Sequence, residues 1–571
     1  MKLSNKITGL ILALIVVLSL GVSTLFMLQK QGYHEDELLT YNLANSSKQL
    51  EMGEWSDVGD FTEYLAATEG HCFDYAQVVQ NQIIDASHPP FYYALVHTVC
   101  SLFPGVFNRW LAYVINLVMM AISLLLLFRV GKRVTNNNLY ALIAVGGYAF
   151  SIACVTTTVY LRMYATLTCF VLAFLALTLR IYDRGKKVKL TDMLMLLPAV
   201  TLGVLTQYYF ILFAGLIGLV FLILSIRERC VKRLLIYAAV AIAGAGIALA
   251  IYPHIISNVL GGNRGLGSLE ISVDAITIFT YVVYKLGTYM QLLAKDLFLN
   301  QVWFLALCTG LSLGAWVYFR FVRKEKMPRR GLFIFVPAVV YFFFIALVSP
   351  FNSDRYVMAS LPLISMLFSF VFIRVFKLIP IKKLRLIQPA CVLVASVIGL
   401  LTVTPYYLYG KTNLYDPQTE NCVFVGTAML EWNKCIDKFM LYDGTMIVQT
   451  SKMSPTLGDE LEEFATNRGV VTNGKINAFA AAYMNNGDVE RTEGDSLTKL
   501  ATDKKLRELD EVTVYISRLA DREAVIDYIT NNTRFKNYEL IQADYDFEDF
   551  YNWYDYFVET ESYCNVYVFR A

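Results

Sequence analysis

The sequence predicts a polytopic α-helical membrane protein of about 11 transmembrane helices, followed by a C-terminal extracytoplasmic α/β domain. Three observations predict it. Hydrophobic residues fill 56% of the 571 positions and charged residues 17%, against about 45–50% and about 25% in soluble domains. Apolar runs of 18 or more residues, long enough to cross a bilayer, recur between residues 7 and 409. The net charge of +2 conceals a partition: residues 1–410 hold 33 Lys and Arg against 19 Asp and Glu, whereas residues 411–571 hold 16 against 28. The apolar runs exclude a soluble enzyme of several globular domains. Nucleic acid is not an expected partner, because the basic residues sit in short clusters between apolar runs.

Those clusters order the spans. Lys2 and Lys6, Arg129 to Arg133, Arg180 to Lys189, Arg227 to Arg233, Arg320 to Arg330 and Arg374 to Arg385 all belong in the cytoplasm by the positive-inside rule. The apolar segments between them are then spans at about 7–29, 107–129, 138–159, 163–182, 190–206, 209–226, 233–256, 300–320, 331–349, 356–376 and 386–409. The N-terminus is cytoplasmic, the tail extracytoplasmic, and the expected location is the plasma membrane. The first run is longer than a signal-peptide core and has no small-residue cleavage site before Gln31, so it reads as a permanent anchor. Val273 to Lys295 is apolar, yet a crossing there would export the Arg320 to Arg330 cluster. It reads as an interfacial or re-entrant helix, with Tyr281, Tyr284, Lys285 and Tyr289 in the headgroup layer.

From about residue 411 charge rises and apolar runs shorten. Val423 to Val425, Thr445 to Val448 and Val512 to Ile516 read as strands, and 429–440 and 521–530 as helices. Between Asp544 and Asp555, acids alternate with aromatic rings, a composition that suits either a sugar-holding surface or an edge packed on the membrane part. Cys72, Cys422, Cys435 and Cys564 fall outside the membrane; their spacing has no metal-site pattern and fixes no disulfide connectivity.

The outer loop 30–106 is far longer than the usual helix connection of about 2–8 residues. Eleven of the 19 acids of the membrane part lie between Glu35 and Asp85, and His34-Glu35-Asp36-Glu37 follows the first span within two turns. Acids in a loop usually do no more than solvate it. Asp36 and Glu37, however, precede an apolar Leu-Leu-Thr-Tyr stretch that places them where water meets lipid, where a carboxylate can act as general base toward a hydroxyl. The loop closes with His88-Pro89-Pro90-Phe91-Tyr92-Tyr93. The prolines fix the start of a helix of about 13 residues, too short to span, that presents His88 near the acidic pair.

A first span followed by Asp36-Glu37, the His88-Pro89-Pro90-aromatic closure, Tyr160-Leu161-Arg162-Met163-Tyr164 opening a helix, and Asp354-Arg355-Tyr356 with Pro362 beyond it together resemble the GT-C integral-membrane glycosyltransferases. The family 39 branch of protein O-mannosyltransferases and bacterial aminoarabinose transferases is similar in pattern. The resemblance covers residues 1–410, the expected catalytic domain, and leaves 411–571 as a separate soluble domain. It implies a membrane glycosyltransferase that takes a sugar from a polyprenyl-phosphate donor at the outer face and gives it to an acceptor hydroxyl. It places the base on Asp36, with Glu37 its neighbour. Departure of a phosphate ester needs cationic stabilisation rather than an acid.

Only eight basic residues of the membrane part lie outside, and of these Arg162 and Arg355 sit where helices turn back near the membrane plane. A charge there marks a functional site by default; interfacial anchoring is the plainer reading. Lys285 and Arg264 are weaker candidates for the same phosphate. His88, Tyr92, Tyr164, Gln207 and Tyr356 complete the expected substrate-binding set. Gln207 departs from the family pattern, which often has a His in that turn, so a metal role there is in doubt. No metal site is predicted, although His88 and the acidic cluster leave a divalent ion possible, and the only expected small-molecule partner is the lipid-linked sugar donor. The acceptor, a protein, a cell-wall polymer or a glycolipid, is not encoded legibly. A lipid-linked sugar flippase is the alternative from another class; it is disfavoured because ionisable residues cluster at the two faces and no half is duplicated. A catalytically silent scaffold with a sensing tail is the third reading.

Overall fold

The computed structural model describes residues 4–29, 35–46, 55–57, 64–185, 187–261, 275–325, 328–349, 353–376, 422–426, 446–449, 497–502, 504–517, 520–546 and 563–571. The chain divides into two compact units. One comprises Met1–Gln29, Cys72–Leu102 and Asn108–Leu408; the other comprises Lys30–His71, Phe103–Phe107 and Tyr409–Ala571.

The first unit is helical. Among the described residues, eight helices are long and apolar enough to cross a membrane: Asn5–Leu28, Arg109–Thr135, Tyr164–Asp183, Tyr209–Arg227, Val231–Ile251, Val302–Val322, Arg329–Val348 and Met358–Val375. Leu190–Thr206 is a shorter apolar helix. The expected span 138–159 is two helices, Asn138–Ala149 and Ile152–Val159, bent by 60° at the junction. Ser151 makes the break. Its hydroxyl donates to the Tyr148 carbonyl at 2.6 Å and accepts the Cys154 N–H at 3.3 Å, ending one helix while capping the next. The expected span 386–409 lies outside the described residues.

Turn chemistry sets the hairpins. Arg109–Thr135 starts at Asn108, whose side chain accepts the Trp110 N–H, and stops at Asn136 in the left-handed conformation. Asn137 then caps the following helix by accepting from Leu139 and Tyr140. Gly203 allows the next close packing. A Cβ there would lie 2.5 Å from the Phe210 ring, which is buried in the succeeding helix.

Ion pairs gather the basic clusters at one end of the helices. Asp183 accepts from Arg133 at 3.0 Å and forms an ion pair with Arg330 at 2.7 Å, Asp192 pairs with Arg180 and Arg184, and Glu228 pairs with Arg233 and Arg329. Arg374 pairs with Glu325, and Asn138 bonds Asn5 and Thr8 at the start of the first helix. The turns at 160–163, 207–208 and 353–356 are therefore at the far end. The chain leaves the basic end at Val231 and comes back to it at Val322, so Tyr252 and Gln301 both stand at the far end. Helix Ala275–Leu297 lies between them in sequence.

This helix corrects one expectation. Lys285 and Tyr289 are buried rather than spread among headgroups. Lys285 Nζ donates to the Ser349 carbonyl at 2.9 Å, and the Tyr289 hydroxyl donates to Ser349 Oγ at 2.6 Å and to the Ser353 carbonyl at 3.3 Å. An amphipathic helix needs partners for its polar face; here the end of helix Tyr341–Val348 and the turn after it supply them. The side chains of Tyr281 and Tyr284 lie outside the described residues.

The second unit holds a six-stranded sheet in the order β1-β3-β2-β4-β6-β5, built from β1 (Trp55–Asp57), β2 (Cys422–Gly426), β3 (Met446–Gln449), β4 (Glu511–Ser517), β5 (Asn537–Asp546) and β6 (Tyr563–Arg570). β2 runs parallel to β3 and β4, and the other pairs are antiparallel. Val423, Val425, Val514, Ile516 and Phe569 form its core with Val525 and Ile529 of helix Arg522–Asn532. The alternation along β4 is what the strand pattern predicts. β1, by contrast, comes from the outer loop and pairs antiparallel with β3, Trp55 opposite Val448. The expected helix 429–440 and residues 547–555 of the acidic-aromatic segment lie outside the described residues. Cys72 is a free thiol, and the side chains of Cys422, Cys435 and Cys564 lie outside the described residues.

Candidate functional site

The segment Asp85-Ala-Ser-His-Pro-Pro builds the first half of the site. Helix Tyr75–Asp85 ends at Ala86, whose φ of 53° is left-handed. The chain turns, and the Asp85 carboxylate folds over it: Oδ2 accepts the Ser87 N–H at 3.1 Å and His88 Nδ1 at 2.9 Å. Pro90 then opens helix Phe91–Ser101, which buries Tyr92 and Tyr93 in its first turn. Burial raises the Asp85 pKa, but the hydrogen bond from His88, the charge of Arg162 and the Ser87 N–H outweigh it, holding the carboxyl below the usual carboxylate range.

Arg162 closes the arrangement from the turn between helices Ile152–Val159 and Tyr164–Asp183. It is 2% exposed. Nη1 donates to the Tyr93 hydroxyl at 3.3 Å and Nη2 to His88 Nε2 at 3.2 Å. Asn116 clamps this turn from near the start of helix Arg109–Thr135: its amide donates to the carbonyls of Thr158 at 3.2 Å and Tyr160 at 2.7 Å, and its oxygen accepts the Tyr92 hydroxyl at 3.3 Å.

Tyr160 carries the connection to Arg355. Its backbone carbonyl accepts the Arg162 N–H at 2.7 Å, and its hydroxyl accepts Arg355 Nη1 at 3.4 Å. Its ring stacks on Tyr164, with centroids 5.9 Å apart and planes 9° off parallel. Arg355 also donates Nη2 to the Tyr356 hydroxyl at 3.4 Å, with its guanidinium carbon 5.2 Å from that ring. The Tyr356 ring meets Tyr209 edge-on, and its carbonyl accepts the Tyr341 hydroxyl at 2.8 Å. Lys295 anchors the same turn through Asp354 Oδ2 at 2.5 Å.

The expected residues thus fall into groups. His88, Tyr92, Arg162, Tyr164, Arg355 and Tyr356 form one connected network in the first unit. Lys285 holds the Ser349 carbonyl at the end of helix Tyr341–Val348. Gln207 is buried, and its amide oxygen accepts the neighbouring Tyr208 N–H at 2.7 Å in the turn before helix Tyr209–Arg227. Asp36 and Glu37 belong to the second unit and are buried in the first turn of helix Glu35–Asn45, where the Asp36 carbonyl accepts the Thr40 hydroxyl at 2.9 Å. Arg264 and His34 lie outside the described residues. Sequence reasoning missed Asn116, gave Asp85 no role beyond the acidic loop and did not pair Lys295 with Asp354, while Tyr93, Tyr160 and Asp354 stood in its motifs without roles of their own. Asn116 left a signal, a buried amide within an apolar span, which is costly unless its hydrogen bonds are made.

No group of three or more His, Cys, Asp and Glu able to hold a metal ion occurs among the described residues. What the network offers chemically is two guanidinium groups in a buried, aromatic setting, the donor set suited to a phosphate.

Residues 87–256 match the family model described as dolichyl-phosphate-mannose-protein mannosyltransferase. The matched segment includes His88, Tyr92, Arg162, Tyr164 and Gln207. No curated protein sequence matches. Among solved structures, the chain is similar to ArnT from Cupriavidus metallidurans in the apo state (TM-score 0.43, 11% identity, 97% of this chain and 98% of that one). It is similar also to the same protein bound to undecaprenyl phosphate (TM-score 0.44, 12% identity, 97% and 98%). A third similar structure is the oligosaccharyltransferase AglB from Archaeoglobus fulgidus with an inhibitory peptide and a dolichol-phosphate (TM-score 0.41, 12% identity, 88% and 69%).

Proposed function

We propose that this protein transfers a sugar from a polyprenyl-phosphate donor to an acceptor hydroxyl at the outer face of the plasma membrane, with the N-terminus cytoplasmic and the tail outside. The observation that carries the reading is the pair Arg162 and Arg355, both buried, both bonded to Tyr160, at the end of the helices away from the basic clusters. Their guanidinium groups hold the donor phosphate, with His88, Tyr92, Tyr164 and Tyr356 shaping the surroundings. Asp36 takes the proton of the acceptor hydroxyl as its oxygen forms the new bond to the anomeric carbon. The bond from that carbon to the phosphate oxygen breaks, and the phosphate leaves with the electron pair. The arginines stabilise the charge it gains.

Purified protein incubated with a panel of radiolabelled polyprenyl-phosphate sugars, scored for free carrier phosphate, tests this. Asp36→Asn is expected to abolish release while the protein stays folded in the membrane fraction, and Arg355→Ala to weaken carrier binding as well as turnover. Full activity of Asp36→Asn removes that residue from the mechanism. Transfer of lipid-linked sugar across the bilayer without cleavage would replace the enzyme by a flippase.

A further inference from the structure

Arginine only donates hydrogen bonds, so the nitrogen facing it on a neighbouring imidazole must accept. Arg162 Nη2 stands 3.2 Å from His88 Nε2, and that nitrogen is therefore without a proton. The ring's proton sits on Nδ1, where Asp85 Oδ2 receives it at 2.9 Å. A doubly protonated imidazole would set donor against donor and cation against cation at Nε2. A neutral ring of the opposite tautomer would meet Arg162 donor to donor and leave an imidazole lone pair against the Asp85 carboxylate. Asp85 thus selects the one state of His88 that can orient the guanidinium. Its own position is fixed by the Ser87 N–H and the left-handed turn at Ala86.

We propose that Asp85 is a positioning residue for Arg162, acting through His88 by fixing its Nδ1–H tautomer so that Nε2 aims the guanidinium at the phosphate of a polyprenyl carrier. This rests on the phosphate-binding role given to Arg162 above. Asp85 does not touch the carrier. It works as the outer partner of a metal-binding histidine does: by setting which nitrogen is free and which way it points.

Equilibrium binding of undecaprenyl phosphate to the full-length protein in nanodiscs tests the relay, using wild type, Asp85→Ala, Arg162→Ala and the double variant. Loss of an orienting second partner typically costs about 10-fold or more in affinity, so Asp85→Ala is expected to weaken binding about 10-fold. Arg162→Ala is expected to weaken it further, and the double variant to match Arg162→Ala alone. A residue with a merely structural role would add its loss to that of Arg162→Ala. Additive losses, or an Asp85→Ala affinity equal to wild type, overturn the proposal while leaving the carrier-binding site in place. Absence of binding by the wild type instead overturns the reading of Arg162, and the relay to a carrier falls with it. Should Asp85→Ala fail to fold, Asp85→Asn answers the same question. Its amide oxygen still accepts from Nδ1, so a loss smaller than that of Asp85→Ala that vanishes in the Arg162→Ala background supports the relay, and a loss that persists there refutes it.

Discussion

Asn116 is the sharpest test of how the site is held together. It is fully buried, and its three hydrogen bonds join helix Arg109–Thr135 to the last turn of Ile152–Val159, to the Tyr160 carbonyl and to Tyr92. Replacing it with leucine keeps the branched heavy-atom skeleton and removes all three. Hydrogen bonds between membrane helices average about 0.6 kcal/mol and reach about 1.7 kcal/mol, so Asn116→Leu is expected to destabilise the fold by about 2 kcal/mol. Asn116→Asp separates electrostatics from packing. It keeps the acceptor for Tyr92 but turns a carboxylate toward two carbonyl oxygens that now receive no proton, so it should cost more than leucine despite being the smaller change in shape. Thermal unfolding in detergent, followed by tyrosine and tryptophan fluorescence, ranks the variants, and undecaprenyl phosphate binding reports whether the 160–162 turn has moved. If Asn116→Asp were as stable as Asn116→Leu, the donor role given to the amide would be wrong. If both bound carrier as tightly as wild type, the clamp would have no bearing on the arginines.

Gly203→Ala would put a methyl group into the Phe210 ring, 2.5 Å away. Overpacking of this kind costs about 1–3 kcal/mol, and a lowered melting temperature is expected; an unchanged one would mean that the two helices separate freely. Lys295, paired with Asp354 at 2.5 Å, and Asp296 stand at the wall of a largely apolar cavity of about 240 Å³ lined also by Phe304, Leu311, Phe368 and Phe372. Lys295→Met leaves two buried carboxylates without their cation and should cost about 3–5 kcal/mol, whereas Asp354→Asn lets Lys295 turn to Asp296, 3.7 Å away, and should cost less. Equal unfolding midpoints for the two would refute this asymmetry. Because the Asp85 pKa is depressed in the folded protein, its stabilising contribution is present above the unfolded value of about 3.9 and is lost only as pH falls through the lower, folded value. Wild type and Asp85→Asn should therefore differ in stability by a constant amount from pH 5 to 8 and converge only below about pH 4. Convergence between pH 6 and 7 would assign the effect to another group.

The helices were legible because a bilayer demands long apolar runs, and the basic clusters were legible because charge must stay at helix ends; the ion pairs of Asp183, Asp192 and Glu228 show those clusters meeting. Arg162 and Arg355 were found by the same logic in reverse, as cations at the wrong end. What stayed hidden depends on partners distant in sequence. The three residues of β1 carry too little pattern to be read as a strand, and their partner is nearly 400 positions away. The bend at Ser151 is a side chain choosing between two helices, which composition does not record. Lys285 and Tyr289 were misread because an amphipathic helix has the same pattern whether its polar face meets headgroups or buried carbonyls.

Asp85 shows the limit from the other side. In sequence it is one acid of eleven in an acidic loop, and solvation is the sensible reading for any one of them. Three residues on, however, comes a histidine held by two prolines, and the arginine that needs its lone pair lies 74 positions further. None of the three residues declares its protonation state alone. The donor-only chemistry of arginine dictates the tautomer of the histidine, and the tautomer requires an acceptor where the aspartate stands. The role of an acid in this loop is thus set by what its neighbour is bonded to, and separating Asp85 from the solvating acids around it takes the geometry as well as the pattern.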